Sequence, residues 1–138
     1  MKCLWINGWG IPPQTTAELA QGICPDLEHV IITPTQSEWD KITNWSAFEH
    51  VIGYSLGASL ILRNASNYQG KTPLLIAPFI AYPSEANQGG NVRLTQLKVL
   101  RRWVRNDPIA ALTDFHQRAQ LNIPSLTQIP YSVELLLE

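Results

Sequence analysis

The segment Phe48-Glu49-His50-Val51-Ile52-Gly53-Tyr54-Ser55-Leu56-Gly57 decides which fold class the sequence predicts. Its mostly apolar first part, Phe48 to Gly53, leads directly into a serine flanked by glycines, and small or apolar residues follow. Continuous apolar runs are typical of strands buried on both faces of a parallel sheet. The segment therefore predicts a strand, a tight turn at Ser55 and a helix from Leu56 to Asn64.

Three similar apolar runs lie on either side of this segment. They are Cys3–Ile6, His29–Thr33 and Pro73–Ala77. Between the first two we expect extended chain at Pro12-Pro13 and then a helix capped by Thr15 or Thr16. A second helix is expected from its cap Ser37 to Trp45. The alternation of strand and helix predicts the α/β class, with a parallel sheet of about four strands covered by helices.

The composition changes at Gln88-Gly89-Gly90. Residues 1–87 are predicted to form the core. Residues 88–122 are predicted to form a helical cap over the carboxyl edge of the sheet, with helices at Arg93–Arg105 and Pro108–Leu121. Asp107 is the expected cap of the second helix, and Pro108 suits its first turn. Residues 123–138 form a separate C-terminal segment.

Composition excludes several classes of protein. The chain has 138 residues, of which 45% are hydrophobic and 15% charged, and its net charge is −1. So few charges argue against a disordered tail, and the near-zero net charge argues against nucleic-acid binding. No apolar run reaches the length of about 18 residues that a membrane span needs. Cys3 and Cys24 form neither a metal pattern nor a disulfide frame, so we expect free thiols in the cytoplasm, with no metal or cofactor.

The pattern Gly53-x-Ser55-x-Gly57 has the form of a nucleophile elbow, G-x-S-x-G, after a strand and before a helix. A serine hydroxyl is a weak nucleophile unless it is exposed on a strained turn beside a base. The two glycines would allow strand and helix to approach closely around that turn. Ser55 is therefore the candidate nucleophile. The alternative is a tight, glycine-rich turn with no chemical role.

The stretch Asn7-Gly8-Trp9-Gly10 follows the first predicted strand. In an elbow enzyme, the loop at this place donates one backbone N–H to the oxyanion, and the residue after the nucleophile donates the other. Trp9 and Leu56 are thus the candidate donors, and Tyr54 is the candidate substrate contact beside the serine. In the alternative interpretation the glycines only shape a turn and Trp9 covers the core.

These motifs resemble the α/β-hydrolase superfamily, and within it the pimeloyl-acyl-carrier-protein methyl ester esterases of biotin synthesis. N-G-W-G resembles their H-G-W-G turn, G-Y-S-L-G-A resembles their G-W-S-L-G-G elbow, and residues 97–108 resemble part of their helical cap. The resemblance covers the whole chain but only about the first half of the family's length. It implies a serine carboxylesterase acting on an acyl or methyl ester, with a pimeloyl-carrier methyl ester as substrate.

The sequence departs from the family in two ways. Asn7 stands where the family has histidine, and the family's catalytic acid and histidine lie in later strands, beyond Glu138. We therefore expect a partial fold that lacks the C-terminal strands and has an incomplete triad. A homo-oligomer or a complementing chain is one source of the missing groups. The second function considered is a truncated or non-catalytic relative that binds acyl groups or an acyl carrier protein.

The chain contains three histidines that could act as the base. In a parallel sheet His29 and His50 lie at the edge opposite Ser55, and five extended residues from His50 span roughly 16 Å. His116, in the predicted cap, is the remaining candidate base. Asp114, its near neighbour in sequence, is one candidate acid, and Glu85, which follows the fourth strand, where some lipase-like members of the superfamily keep their acid, is the other. The favoured alternative for these three is a solvated polar residue.

Six of the ten basic residues lie between Arg93 and Arg118. Clustered cations in a charge-poor chain indicate an acidic partner, and arginine binds phosphate and carboxylate in a bidentate manner. Arg101, Arg102 and Arg105 are therefore the candidate docking residues for an acidic acyl carrier protein. An ordinary solvated helix face is the alternative.

Overall fold

A computed structural model describes all residues from 1 to 138. The chain divides into two compact units, Met1–Ile80 and Ala81–Glu138, and each is described by itself. None of the helices combines the length and apolar character that crossing a bilayer requires.

A four-stranded parallel sheet forms the centre of the first unit. Its strands are β1 (Lys2–Ile6), β2 (Glu28–Ile32), β3 (His50–Tyr54) and β4 (Leu74–Ile76). Their order in the sheet is β2-β1-β3-β4, and every neighbouring pair is parallel. The structure therefore confirms the predicted α/β class and the four-stranded parallel sheet. Ile6 at the end of β1 pairs with Ile32 on one side and with Gly53 on the other.

Three helices cover this sheet: α1 (Pro13–Ile23), α2 (Gln36–Asp40) and α3 (Leu56–Arg63). Two short 3-10 turns, Trp45–Ala47 and Ala65–Asn67, complete the unit. Successive side chains of β1 point to opposite faces, as strand geometry requires. One face, with Leu4 and Ile6, belongs to a core shared with residues of α2 and α3. Cys3 and Trp5 lie in a second core with Ala20 of α1.

Two local predictions are wrong at helix starts. Pro13 is not extended but occupies the first turn of α1, where a missing N–H costs nothing, and Pro12 precedes the helix. Thr15 and Thr16 therefore lie inside α1 and do not cap it. In α2 the cap is Thr35, whose hydroxyl accepts a hydrogen bond from Glu38 N, and not Ser37.

The helix predicted to reach Trp45 ends at Asp40. The chain then turns so that both Trp39 and Trp45 are buried in the same core, with ring centroids 4.8 Å apart. The apolar spacing of these residues indicated their burial correctly, although the helix between them is shorter.

The second unit is helical. It contains a 3-10 turn at Ser84–Ala86 and the helices α4 (Leu94–Asn106), α5 (Pro108–Arg118) and α6 (Val133–Leu137). The carboxylate of Asp107 accepts a hydrogen bond from Ala110 N, which confirms the predicted cap of α5. Helix α4 packs against both α5 and α6, so residues of the C-terminal stretch belong to this unit.

Candidate functional site

The strand order changes direction between two neighbouring strand ends. From β1 the chain moves to β2 on one side of the sheet, and later to β3 on the other side of β1. In open α/β sheets such a reversal of direction is where ligands bind, just outside the carboxyl ends of the strands. Asn7 directly follows β1, and Ser55 directly follows β3, so both lie at this place.

Ser55 has a strained backbone. Its φ is 52° and its ψ is −112°, a combination that a residue with a side chain rarely adopts. Its N–H donates to the carbonyl of Ile76 at 2.8 Å, and its carbonyl accepts from Ser59 N at 3.0 Å. Such strain costs on the order of 1–3 kcal/mol and is typical of functional sites. The predicted strand, tight turn and helix around Ser55 are confirmed, while the chemical role of Ser55 stays a prediction.

Glycines on both sides of Ser55 make this turn possible. A Cβ on Gly57 would lie 2.0 Å from the carbonyl oxygen of Ile6, and one on Gly53 would lie 2.7 Å from the Cα of Ala58. Real Cβ atoms do not approach backbone so closely, so the first turn of α3 contacts the end of β1 only because position 57 has no side chain. The half-buried Ser55 is thereby held beside the loop that follows β1.

Asn7 organises that loop. Its side chain is 2% exposed, and its Oδ1 accepts hydrogen bonds from Thr16 Oγ1 at 2.8 Å and from Gly8 N at 3.0 Å. Its Nδ2 donates to the carbonyl of Ile11 at 3.0 Å. The side chain thus ties both ends of the segment 8–11 to α1. Asn7 therefore has a structural role in this loop.

The candidate oxyanion donors flank this region. Leu56 is the first residue of α3, and its N–H has no hydrogen-bond partner, as is usual in the first turn of a helix. Trp9 is half-buried in the loop after β1 and already takes part in other interactions. The Tyr54 ring lies against Gly8, since a Cβ there would be 2.9 Å from Tyr54 Cδ1. Elbow and loop are therefore in direct contact.

Ser59 is a functional candidate that the sequence reasoning missed. Its buried hydroxyl donates to the carbonyl of Phe79 at 2.5 Å and accepts from Phe79 N at 3.1 Å. It therefore anchors the segment after β4, where Ala77 has a φ of 50°. A hydroxyl one helical turn after Ser55, between small and apolar residues of α3, is the signal that could have indicated this role.

The segments at the ends of the strands supply no base beside Ser55. The segments that directly follow its four strands, residues 7–10, 33–35, 55 and 77–79, contain no histidine, carboxylate or lysine. His50 begins β3, at the opposite edge from Ser55. His29 accepts from Trp5 Nε1 at 3.2 Å, so its other nitrogen donates to the Cys24 carbonyl at 2.9 Å. Both histidines lie at the starts of their strands, at the edge of the sheet opposite Ser55, as expected.

The remaining candidates lie in the second unit, where two carboxylates have local roles. Both carboxylate oxygens of Glu85 lie 3.0 Å from Leu94 N at the start of α4. Hydrogen bonds from its own backbone and from Leu94 lower the pKa of Glu85. Asp114 forms an ion pair with Arg118 at 2.7 Å. Neither carboxylate is simply solvated.

His116 is not the solvated residue that the favoured alternative expected. It lies in the last turn of α5 and is only 4% exposed, because it is enclosed on nearly all sides by protein. Its ring meets that of Phe115 edge-on, with centroids 6.1 Å apart. A role for His116 as base stays a prediction.

The cations of α4 form one exposed, unpaired face. Lys98, Arg101, Arg102 and Arg105 are all exposed, and none of their side chains forms an ion pair or hydrogen bond. Their spacing of three and four residues places them on one side of the helix. By contrast, Lys2, Lys41 and Lys71 each have a glutamate partner. Positively charged side chains without an ion-pair partner are therefore concentrated on α4.

A largely apolar groove of about 570 Å³ adjoins the same helix within the second unit. Its lining includes Tyr82, Val99, Trp103 and Phe115. Val99 is 63% and Trp103 36% exposed, which is unusual for large apolar side chains. The groove lies on a different side of α4 from the cations, because Val99 and Trp103 are offset from them around the helix.

Comparison with known proteins adds no relative to this picture. The chain matches no protein-family model, and neither the curated proteins nor the solved structures contain a significantly similar chain. In the structure itself, no group of three or more His, Cys, Asp or Glu side chains is placed to hold a metal ion. The features of this chain that bear on its function are therefore the geometry around Ser55 and the charge of α4.

Proposed function

We propose that the chain is a carboxylic ester hydrolase of the α/β-hydrolase type, with Ser55 as its nucleophile. The strained backbone of Ser55, at the carboxyl end of β3 and at the reversal of strand order, is the observation that carries the proposal. A turn that served only to connect strand and helix would gain nothing from a strained serine, since glycine adopts that conformation without cost.

The chemistry would follow the usual course of acyl transfer. Ser55 Oγ attacks the ester carbonyl carbon and loses its proton to a base, and the alkoxide leaving group departs as an alcohol after gaining a proton. Water then hydrolyses the acyl-serine to a carboxylic acid and free serine. The N–H groups of Leu56 and Trp9 are the proposed donors to the oxyanion.

A second candidate function is supported by the absence of a base near Ser55 within the first unit. In this alternative the chain is a non-catalytic relative that binds acyl groups or an acyl carrier protein. If the chain is catalytic, the proton acceptor is His116 of the second unit or a residue of another chain. The two functions share the same binding chemistry and differ only in turnover.

The proposed partner is an acidic acyl carrier protein, and the proposed substrate is a pimeloyl-carrier methyl ester in the cytoplasm. Support for the partner comes from Lys98, Arg101, Arg102 and Arg105, which have no anionic partner within the chain. Support for an acyl group comes from the apolar groove beside α4, which suits a flexible hydrocarbon chain. The choice of pimeloyl depends on the family resemblance alone.

A fluorophosphonate probe tests the nucleophile directly, because it phosphonylates an activated serine. The probe is added to the wild-type chain, to Ser55→Ala and to the control Ser66→Ala, which changes an exposed serine of a 3-10 turn. Labelling lost only in Ser55→Ala supports the hydrolase. Absence of labelling in the wild-type chain favours the non-catalytic alternative.

A further inference from the structure

A polar pocket of about 340 Å³ lies in the first unit, far from Ser55. It is bordered by α2, the following loop and the chain just after α3. Ser55 precedes the first residue of α3, and Asn64 follows the last. Since eight helical residues span about 12 Å, the pocket and Ser55 lie at opposite ends of this helix.

Neutral polar side chains dominate the lining. They are Gln36, Thr43, Asn64, Asn67 and Gln69, and Asp40 is the only charged residue with them. The amides of Gln36 and Asn64 hydrogen-bond each other at 3.1 and 3.3 Å, and Gln36 Nε2 also donates to Asp40 Oδ1 at 2.9 Å. One side of the pocket is thus already ordered, whereas the side chains of Thr43, Asn67 and Gln69 have no partner.

The rest of the lining consists of Ile42 and two tryptophans of the core. Trp39 is 5% and Trp45 7% exposed, yet neither indole N–H has a hydrogen-bond partner in the chain. Neither N–H is fully enclosed, because the hydroxyl of Thr33 is the only enclosed side-chain polar atom without a partner. An indole N–H is only a donor, and a mostly buried one usually finds an acceptor. Both rings therefore have a donor open to an acceptor from outside the chain.

The chemistry of these groups selects a class of ligand. Amides both donate and accept, Asp40 accepts, and the two indole groups donate, so the pocket suits a molecule whose groups each do both. Hydroxyl groups have this property. No cation lines the pocket, which disfavours a phosphate or carboxylate, and its single carboxylate disfavours a metal ion. The volume is at the lower end of the range for small-molecule sites.

We propose that the pocket between α2 and the end of α3 binds a neutral polyhydroxylated molecule, a mono- or disaccharide. The two indole donors and the amides of Asn67 and Gln69 hydrogen-bond the sugar hydroxyls. This site is separate from the proposed esterase site and does not depend on it.

The test follows the assigned indole N–H signals of the five tryptophans by NMR while D-glucose, D-galactose, D-mannose or maltose is added. The expected result is a saturable shift of the Trp39 and Trp45 signals for at least one of these sugars, with no shift of Trp5 on the other face of the sheet. Inorganic phosphate, added in the same way, serves as the charged comparison and is expected to bind more weakly than that sugar.

Variants distinguish specific binding in this pocket from a nonspecific effect of the sugar on the NMR signals. Asn67→Ala and Gln69→Ala change exposed side chains without internal partners, so both should fold, and each should weaken binding about three- to tenfold. Gln14→Ala removes an amide from α1 and should leave the affinity unchanged. The proposal is overturned if none of the four sugars gives a saturable shift, if both variants bind like wild type, or if phosphate binds more tightly.

Discussion

A Cβ atom on Gly57 would stand 2.0 Å from the carbonyl oxygen of Ile6, the last residue of β1. This contact joins two parts of the chain that are 51 residues apart and that both contribute to the candidate site. It brings the first turn of α3, which begins with the candidate donor Leu56, against the start of the loop that holds Trp9. The close packing of α3 against β1, and with it the geometry of the site, therefore depends on glycine at position 57.

Substitution of Gly57 by alanine should be strongly destabilising. The added methyl group must move α3 away from β1, and overpacking of this kind costs about 3 kcal/mol or more. Gly22→Ala is the matched control, because it lies in α1 with nothing within 4 Å and should stabilise by about 0.5–1 kcal/mol. Urea unfolding measures both free energies. Similar stabilities of the two variants would contradict the close approach of α3 and β1.

Ser55→Gly should raise the free energy of unfolding while removing the nucleophile. Glycine adopts a positive φ without the strain that serine bears, so we expect a gain of about 1 kcal/mol. Ser66→Gly, at an exposed 3-10 position, should instead lose a few tenths to about 1 kcal/mol, because it only adds backbone freedom. Thermal or urea unfolding distinguishes the two. A destabilised Ser55→Gly variant would argue against a strained turn.

The carboxylate of Glu85 should make the second unit sensitive to acid. Hydrogen bonds from its own backbone and from Leu94 N lower its pKa in the folded state below the ordinary value of 4.5. Its stabilising effect is therefore complete above pH 4.5 and is lost as the pH falls through the folded-state pKa. Glu85→Gln should be less stable than wild type at pH 7, and the difference should shrink at acidic pH.

Thermal melts at several pH values, followed by circular dichroism, measure that difference. Glu18→Gln is the control, since Glu18 accepts a hydrogen bond only from the Gln14 side chain and none from a backbone N–H. If the gap between Glu85→Gln and wild type stayed constant down to low pH, the role of Glu85 at the start of α4 would be wrong.

Replacing Arg101, Arg102 and Arg105 with glutamate should weaken binding to an acidic acyl carrier protein. The residual binding should also depend less on salt, because the screened charges are gone. The control replaces Lys2, Lys41 and Lys71, which alters the net charge equally but lies outside α4. Affinity is measured by titration at low and high ionic strength. Equal affinities of wild type and the arginine variant at low salt would remove the docking role.

Hydrolysis of a p-nitrophenyl ester by this chain should be slow. Without a base beside Ser55, only the oxyanion hole and binding contribute, so we expect a rate about 10³-fold or more below that of an esterase with a full triad. Turnover at background, unchanged in Ser55→Ala and in His116→Ala, is the outcome expected if the base belongs to another chain. Robust turnover by the wild-type chain that is lost in both variants would instead identify His116 as the base. Robust turnover that is lost in Ser55→Ala but kept in His116→Ala would place the base elsewhere.

The four strands and the turn at Ser55 could be predicted from the sequence because their signals are local. Apolar runs of the length of a strand indicate burial on both faces, and the glycines around Ser55 indicate a turn too tight for side chains. Helix starts were less predictable. Pro13 breaks a helix interior but suits a first turn, and only the position of α1 decides which of these applies.

Contacts between residues far apart in sequence, and the burial that results from them, could not be predicted from the sequence. The hydrogen bonds between Ser59 and Phe79, and the shared core of Trp39 and Trp45, require α3 and α2 to be placed on the sheet first. The burial of His116 likewise depends on packing rather than on its neighbours in the chain. Local residue patterns determined the strands, the strained turn and the charge of α4. Packing between distant segments alone decided which polar groups are enclosed, which have partners and which are open to a ligand, because these properties belong to neighbours in space.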